Sequence, residues 1–265
     1  MIDRNYPKIS RWREWAMNVL KRSFQNVPMF NEVEFPKSAH KAKRVIIAGA
    51  GQSLFRIFEL DLKNVFVVAN QSSLKYLIDN NINVDLVVLM DGNLAAAEKL
   101  TDMVFRTGYC GPIIAGLHVD PMMDRMKEVF YMPMFLDGNK IFNGIIGACY
   151  PRAVGSIFQV GTVVGASVLV ANVLMMTKKI AEVPIVLVGV DLAYGKAGTK
   201  TLYEHIDEAI VEAPKEYLVR DGEILDEVFA IYEDQLKIVE KNTDIPLFIH
   251  NPGSRLTKFI KEWKI

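Results

Sequence analysis

An excess of charge of either sign is missing from this chain. Its 31 basic and 31 acidic residues cancel over 265 positions. No bulk field therefore draws it to nucleic acid or to an anionic membrane, and any cationic site has to be local. Cysteine is nearly absent too: Cys110 and Cys149 lie far apart with no CxxC partner. That spacing speaks against a disulfide framework or a zinc site and for a reducing compartment. No apolar run reaches the roughly 20 residues that a membrane span requires. The most hydrophobic stretch, Val160 to Met176, is interrupted by Gly161, Gly165, Ser167 and Asn172, and it reads as a helix buried in a globular core. The N-terminus is charged and amphipathic and has no signal-peptide core or cleavage site, so a cytoplasmic location is expected. Histidine is scarce, and two of the four, His40 and His118, sit in loop-like sequence with no partner nearby.

What is present is an alternation. Trp12, Trp15, Ala16, Val19 and Leu20 recur at helical spacing and predict an amphipathic helix over about 9–25 that packs on the main body, followed by a turn-rich linker. Residues 1–40 thus form a helix and linker, and 41–265 form the main domain. Apolar, largely β-branched runs predict strands near 44–49, 65–70, 85–90, 112–116, 184–190 and 245–250. Helical patterns fall near 53–60, 71–80, 93–107, 120–128, 161–179, 222–241 and 254–262. Unbroken apolar strands separated by helices imply an α/β fold, a Rossmann-like and mostly parallel sheet with helices on both faces. Ligands of such sheets bind outside the carboxyl ends of the strands.

Four strand ends carry glycine or polar residues. After the first comes Gly49-Ala50-Gly51-Gln52-Ser53, where glycines permit close backbone approach and Ser53 would open a helix, a seat for an anion such as phosphate. It is not the dinucleotide fingerprint, which needs glycine at Leu54, nor a P-loop, which ends in Gly-Lys-Ser/Thr. After the second strand, Asn70 and Gln71 offer amides to a base or ribose edge, although Asn70 equally suits a helix cap. After the third, Asp91-Gly92-Asn93 suits a divalent metal with a phosphate, a sugar hydroxyl, or simply a cap for the next helix. The fourth end is Gly189-Val190-Asp191, with Tyr194 beyond it. Between the third and fourth ends, Gly161 and Thr162 open a long helix and supply a further phosphate seat or a close-packing contact. His205 lies in a polar segment, Tyr194 to Pro214, that reads as a lid over this mouth, and His250 ends the last strand; both are candidate general bases. Four convergent strand ends point to a nucleotide-type site.

The stretches VIIAGAGQSL, VVANQSSLKYLIDNNINVDLVVLMDG, GASVLVANVLMMTKKIAEVPIVLVGVDLAYG and DGEILDEVFAIYEDQL together resemble the domain shared by bacterial motility accessory factors and archaeal 6-hydroxymethylpterin diphosphokinase, the MptE-like family. The likeness covers roughly residues 10 to 255. It is also similar to the CMP-sialic-acid-dependent sialyltransferases, whose G-x-G-x-S loop matches Gly49 to Ser53, whose Asn-Gln matches Asn70-Gln71 and whose Gly-x-Asp matches Gly189 to Asp191. Those enzymes carry a catalytic histidine just before the last long helix, where this chain has Arg220 and Asp221; the motility-factor branch often has one after its Gly-x-Asp turn, which His205 matches. Full-length motility factors have flanking domains besides this one. The resemblance implies a nucleotide pocket and three alternatives. One is a glycosyltransferase moving a nonulosonic sugar from a nucleotide-sugar donor to a protein or glycan acceptor, flagellin-like in the motility branch, with His205 or Asp191 as base. Another is a diphosphokinase using ATP and Mg²⁺ on Asp91 and Asp191. The third is a non-catalytic nucleotide-binding module. An oligomer is compatible with each.

Overall fold

The computed structural model of the chain describes residues 12–135, 139–151, 157–158, 163–191, 218–220, 223–225, 227–251 and 254–264. Helix α1 (Trp12–Gln25) comes first. It is followed by β1 (Arg44–Ala48), β2 (Val65–Asn70), α2 (Leu74–Asp79), β3 (Leu86–Leu89), α3 (Leu94–Thr107), β4 (Ile113–Gly116) and β5 (Val129–Met132). Then come β6 (Met134–Phe135), α4 (Lys140–Cys149), β7 (Ile157–Phe158), α5 (Val163–Met176), β8 (Ile185–Val188), β9 (Leu218–Arg220) and β10 (Glu223–Leu225), and finally α6 (Glu227–Asn242), β11 (Leu247–Ile249) and β12 (Lys261–Glu262).

Eight strands form one sheet in the order β12-β11-β8-β1-β2-β3-β4-β5, and every pair in it is parallel. The apolar strand runs explain why. Successive side chains point to opposite faces, and here both faces are dry. Val45, Ile47, Phe66, Val68, Val88, Ile185 and Leu187 pack on one face under α5 and α6, while Ile46, Ala48, Val67, Ala69, Leu89, Val186 and Val188 pack on the other. That second face is covered by residues from α1, α2, α3 and α4 and by Leu54 and Ile57. The most hydrophobic helix, α5, is buried as its composition requires, with Ala166, Val168, Val170, Ala171 and Leu174 all fully enclosed. Among the described residues no helix is long and apolar enough to cross a membrane. The sheet's edges are blunted. Tyr131 N–H donates to Pro28 O at 2.8 Å along β5, and β12 is two exposed charged residues.

Three helical expectations take a different form. Residues 52–59 wind as a 3₁₀ helix, Gln52–Glu59, rather than an α-helix. Its period of three sorts the side chains into stripes: Leu54, Ile57 and Leu60 buried, Phe55 and Phe58 half exposed. The segment near 120–128 is a short 3₁₀ turn, Pro121–Arg125, because the chain must straighten to enter β5. The segment near 254–262 is a 3₁₀ turn, Arg255–Lys258, followed by β12 rather than a helix. Helix α6 starts at Glu227, after the β9–β10 hairpin, not at 222.

Helix α1 is fastened by buried polar groups that its apolar spacing did not reveal. Asn18 Nδ2 donates to His118 O at 3.1 Å. Arg22, 1% exposed, donates to Leu117 O and Val119 O at 2.6 Å each and to Asp120 O at 3.1 Å, while its Nε reaches Asp124 Oδ1 at 2.9 Å. The guanidinium also lies over the Tyr131 ring, 4.3 Å from its centroid. One side chain thereby donates to three carbonyls of the turn after β4, sharing Val119 O with Asn18 and Asp120 O with the Met123 N–H.

Candidate functional site

Strand order reverses direction between β1 and β8: β2 to β5 run outward on one side and β11 and β12 on the other. The crevice at the carboxyl ends of these two strands is the place where an open parallel sheet receives ligands. The sequence places glycines there on both strands, and the structure gives the reason. Gly189 has φ +69°, a left-handed conformation that costs a side-chain-bearing residue energy, and a Cβ there would stand 2.6 Å from Gly49 O. A Cβ on Gly51 would meet Gly189 O at 2.7 Å and Asp191 Oδ2 at 2.6 Å. The glycines let two strand ends and a carboxylate come together.

This corrects the expected anion seat in one respect. Gly49 N–H donates to Val188 O and Gly51 N–H to Gly189 O, both at 2.7 Å, so these two amides close the crevice floor instead of facing a ligand. Ser53 is also engaged. Its N–H donates to Asp191 Oδ2 at 2.8 Å and its hydroxyl to Asp191 Oδ1. Asn251 Nδ2 adds a third donor to Asp191 Oδ1 at 2.8 Å. Three of about four acceptor positions of Asp191 are thus taken by donors that tie the sides of the mouth together. Gln52 lies at the start of the 3₁₀ helix beside this floor.

On the next strand, Asn70 does what a helix cap does. Its Oδ1 accepts from Ser72 N–H at 3.0 Å and Ser73 N–H at 2.9 Å, while Ser73 Oγ donates to Ala48 O at 2.7 Å and so ties β2's end to β1's. The Asn70 side chain is itself buried, and its amide NH₂ makes no hydrogen bond among the described residues. Beside it, Gln71 Oε1 is buried with no hydrogen-bond partner among the described residues, which leaves it an acceptor for a donor.

Asp91 is farther off. Its strand, β3, lies three strand spacings from β8, about 14 Å, so the sheet does not bring the Asp91 and Asp191 strand ends together. Asp91 Oδ1 accepts from Asn93 N–H at 3.0 Å, the turn that leads into α3. Gly92 is covered: a Cβ there would run into the Trp15 indole of α1. Trp15 in turn lies against His118, ring centroids 4.8 Å apart, and His118 contacts Met90 O through Nε2 at 3.0 Å. Helix α1 thus walls the mouth on the β3–β4 side, which its sequence marked only as an apolar stripe. Among the described residues no group of three or more His, Cys, Asp or Glu could hold a metal ion.

Burial pushes the His118 imidazole down to about 4. In the unfolded chain histidine titrates near 6.5, so between these values the unfolded state binds more protons and stability falls as pH drops. The expected slope is up to about 1.4 kcal/mol per pH unit between pH 6.5 and 4. His118→Gln, which can still donate to Met90 O, should flatten that slope in urea melts; an unchanged slope would mean that another group causes it.

His250, 4% exposed, contacts Glu59 Oε2 through Nε2 at 3.0 Å, and its buried Nδ1 has no partner among the described residues. Gly161, Thr162, Tyr194 and His205 lie outside the described residues. Helix α5, which starts at Val163, packs on β1, β2 and β3 and leads to the start of β8, so its first turn lies at the carboxyl end of the sheet. Asn251 and Trp15 are the residues that sequence reasoning missed. The signal for Asn251 was its place directly after a strand end.

No curated protein matches the chain in sequence. Among solved structures, the MAf glycosyltransferase of Magnetospirillum magneticum AMB-1 superposes with a TM-score of 0.60 at 15% identity, over 90% of this chain and 36% of that one. The chain therefore spans little more than a third of that protein. The monofunctional alpha-2,3-sialyltransferase Cst-I of Campylobacter jejuni superposes with a TM-score of 0.50 at 15% identity, over 88% of this chain and 84% of that one. At such identities the likeness is one of fold. The model of the family described as 6-hydroxymethylpterin diphosphokinase MptE-like matches residues 18–197, more than half of the chain, and the chain belongs to that family.

Proposed function

We propose that the chain is a nucleotide-dependent transferase, and specifically a glycosyltransferase that moves a nonulosonic, sialic-acid-like sugar from a CMP-type donor to a protein or glycan acceptor, flagellin-like in a motility role. The observation that carries this reading is the switch-point crevice, where the ends of β8, β1 and β2 lie side by side and the buried Gln71 Oε1, next to Asn70, has no hydrogen-bond partner among the described residues. An amide pair of that kind suits the donors and acceptors of a nucleoside. The first turn of α5, with Gly161 and Thr162 just before it, supplies a positive helix end for phosphate. The fold shared with the Magnetospirillum and Campylobacter transferases supports the same reading. His205 is the proposed base for the acceptor hydroxyl, and Asp191 is assigned the positioning of the glycine loop.

Family membership favours a second reading, a diphosphokinase working with ATP and Mg²⁺. The residues fit such a metal only in part. Mg²⁺ is commonly held by one or two carboxylates with substrate phosphates, and Asp91 has one oxygen not engaged by Asn93, whereas Asp191 is committed to Ser53 and Asn251. Thermal shifts with CMP, CDP and ATP, each with and without Mg²⁺, separate the two. The expected result is stabilisation by cytidine nucleotides that ignores Mg²⁺. An ATP shift that requires Mg²⁺ and disappears in Asp91→Asn would overturn the first reading in favour of the second. His205→Ala should lower sugar transfer by about 10²–10⁴-fold with nucleotide affinity nearly unchanged, the behaviour of a lost general base; unchanged turnover would remove His205 from the mechanism.

A further inference from the structure

We infer that Asn251 is a positioning residue of the crevice: acting through Asp191, it fixes the glycine loop after β1 in the form that receives the ligand. The identity of that ligand rests on the nucleotide reading above; the tie itself rests on geometry alone. Asp191 follows β8, and β1 and β11 flank β8 on its two sides. Each flanking strand sends donors to the one carboxylate. Ser53 from the β1 side gives its N–H and its hydroxyl, and Asn251 from the β11 side gives its amide at 2.8 Å. The carboxylate fills the space left by the missing side chain of Gly51, where a Cβ would stand 2.6 Å from Oδ2. The loop is therefore held on one side by backbone hydrogen bonds to Val188 and Gly189 and on the other by Asp191. Among the described residues, Asn251 is the donor to Asp191 from outside that loop. Bonds of this kind, in which one partner is ionised, are about twice as strong as neutral ones and are directional. Without Asn251 the carboxylate keeps only its two Ser53 donors and loses its tie to the β11 side, so the group that orients the loop's exit into the 3₁₀ helix is held less firmly.

The chemistry offers a variant that reports on the contact itself. Asn251→Asp places a second carboxylate at the 2.8 Å contact. Two carboxylates at such a distance cannot both be ionised at little cost; at low pH they share a proton and regain a hydrogen bond, and at higher pH they repel. Two readouts are measured at pH 5 and pH 8 on the full chain: calorimetric affinity for CMP, and hydrogen exchange at the Ser53 amide without ligand. Asn251→Ala should weaken CMP binding by about tenfold at both pH values, as loss of a hydrogen bond to a charged group does. Asn251→Asp should bind within about threefold of the parent chain at pH 5 and about tenfold more weakly at pH 8, with Ser53 exchange accelerating in step. An Asn251→Asp variant whose affinity and exchange do not respond to pH would overturn the inference. So would pH-dependent exchange with unchanged CMP affinity, which would reduce Asn251 to a brace for the fold. If the parent chain binds neither CMP nor ATP, the nucleotide reading falls, and the Ser53 amide alone decides the tie: pH-dependent protection upholds it and pH-independent protection refutes it.

Discussion

Gly51→Ala is expected to lower nucleotide affinity by about 10–10²-fold, the fold-change equivalent to the roughly 1–3 kcal/mol of overpacking strain that the crevice would have to relieve on binding. The added methyl meets two things that cannot yield together, the Gly189 carbonyl at 2.7 Å and the Asp191 carboxylate at 2.6 Å. The first is backbone at the end of a central strand and the second is fixed by Ser53 and Asn251. The crevice must therefore open, and Gln71 and Asn70 no longer face the same space as the loop. Overpacking of this kind also costs about 1–3 kcal/mol of stability, so the variant should melt lower but still fold. Gly108→Ala is the control. Gly108 also needs a left-handed backbone, φ +66°, but a Cβ there meets nothing within 4 Å and it terminates α3 far from the crevice. It should cost stability and leave affinity unchanged. Calorimetry on the two variants checks the pair, and equal affinity losses would mean that general loosening, not the crevice, governs binding.

The largest effect on stability is expected from Arg22→Ala, about 3–5 kcal/mol, the cost of breaking a buried charge network by removing one member. Truncation removes the donor of Leu117 O, leaves Val119 O and Asp120 O with only Asn18 and the Met123 N–H, and deprives Asp124 of its cation. It also opens a void under α1 next to Tyr131. Arg22→Lys should recover little, since a single ammonium cannot reproduce a planar fork that reaches three carbonyls and a carboxylate. Arg106→Ala, on an exposed pair with Asp102, should change stability by under about 1 kcal/mol. Urea denaturation of the three variants gives the comparison. An Arg22→Ala loss as small as that of Arg106→Ala would show that α1 is not fastened as described.

How much of this was legible in the sequence follows from where the information lies. The central strands could be located because each is buried on both faces, and a run such as Val45 to Ala48 then has no polar residue to blur it. Strand β5 was missed because Val129 to Met132 follows a turn that reads as helical, Pro121 to Arg125, and because it is an edge strand with a half-exposed Phe130. The four polar strand ends were visible as residues, but their spatial order was not. That order places Asp191 beside Gly51 and Asp91 three strands away, and it depends on crossovers that no local pattern encodes. The same holds for hydrogen bonding. Gly49 and Gly51 suggest free amides until β8 is placed next to β1 and takes both of them. Asn251, 60 residues from Asp191, and Arg22, about 100 from the turn it satisfies, are long-range partners whose roles emerge only from the fold.

The central claim is that a nucleotide binds in the crevice between β1 and β8. It is tested most directly by mapping backbone amide shifts by NMR during a CMP titration. The account predicts saturable changes concentrated at Gly49 to Ser53, at Asn70 to Ser72 and at Gly189 to Asp191, with the opposite ends of the same strands, at Arg44, Val65 and Ile185, unmoved. Changes clustered at those amino-terminal ends, or confined to the Asp91–Trp15 side while the glycine loop stays silent, would contradict it.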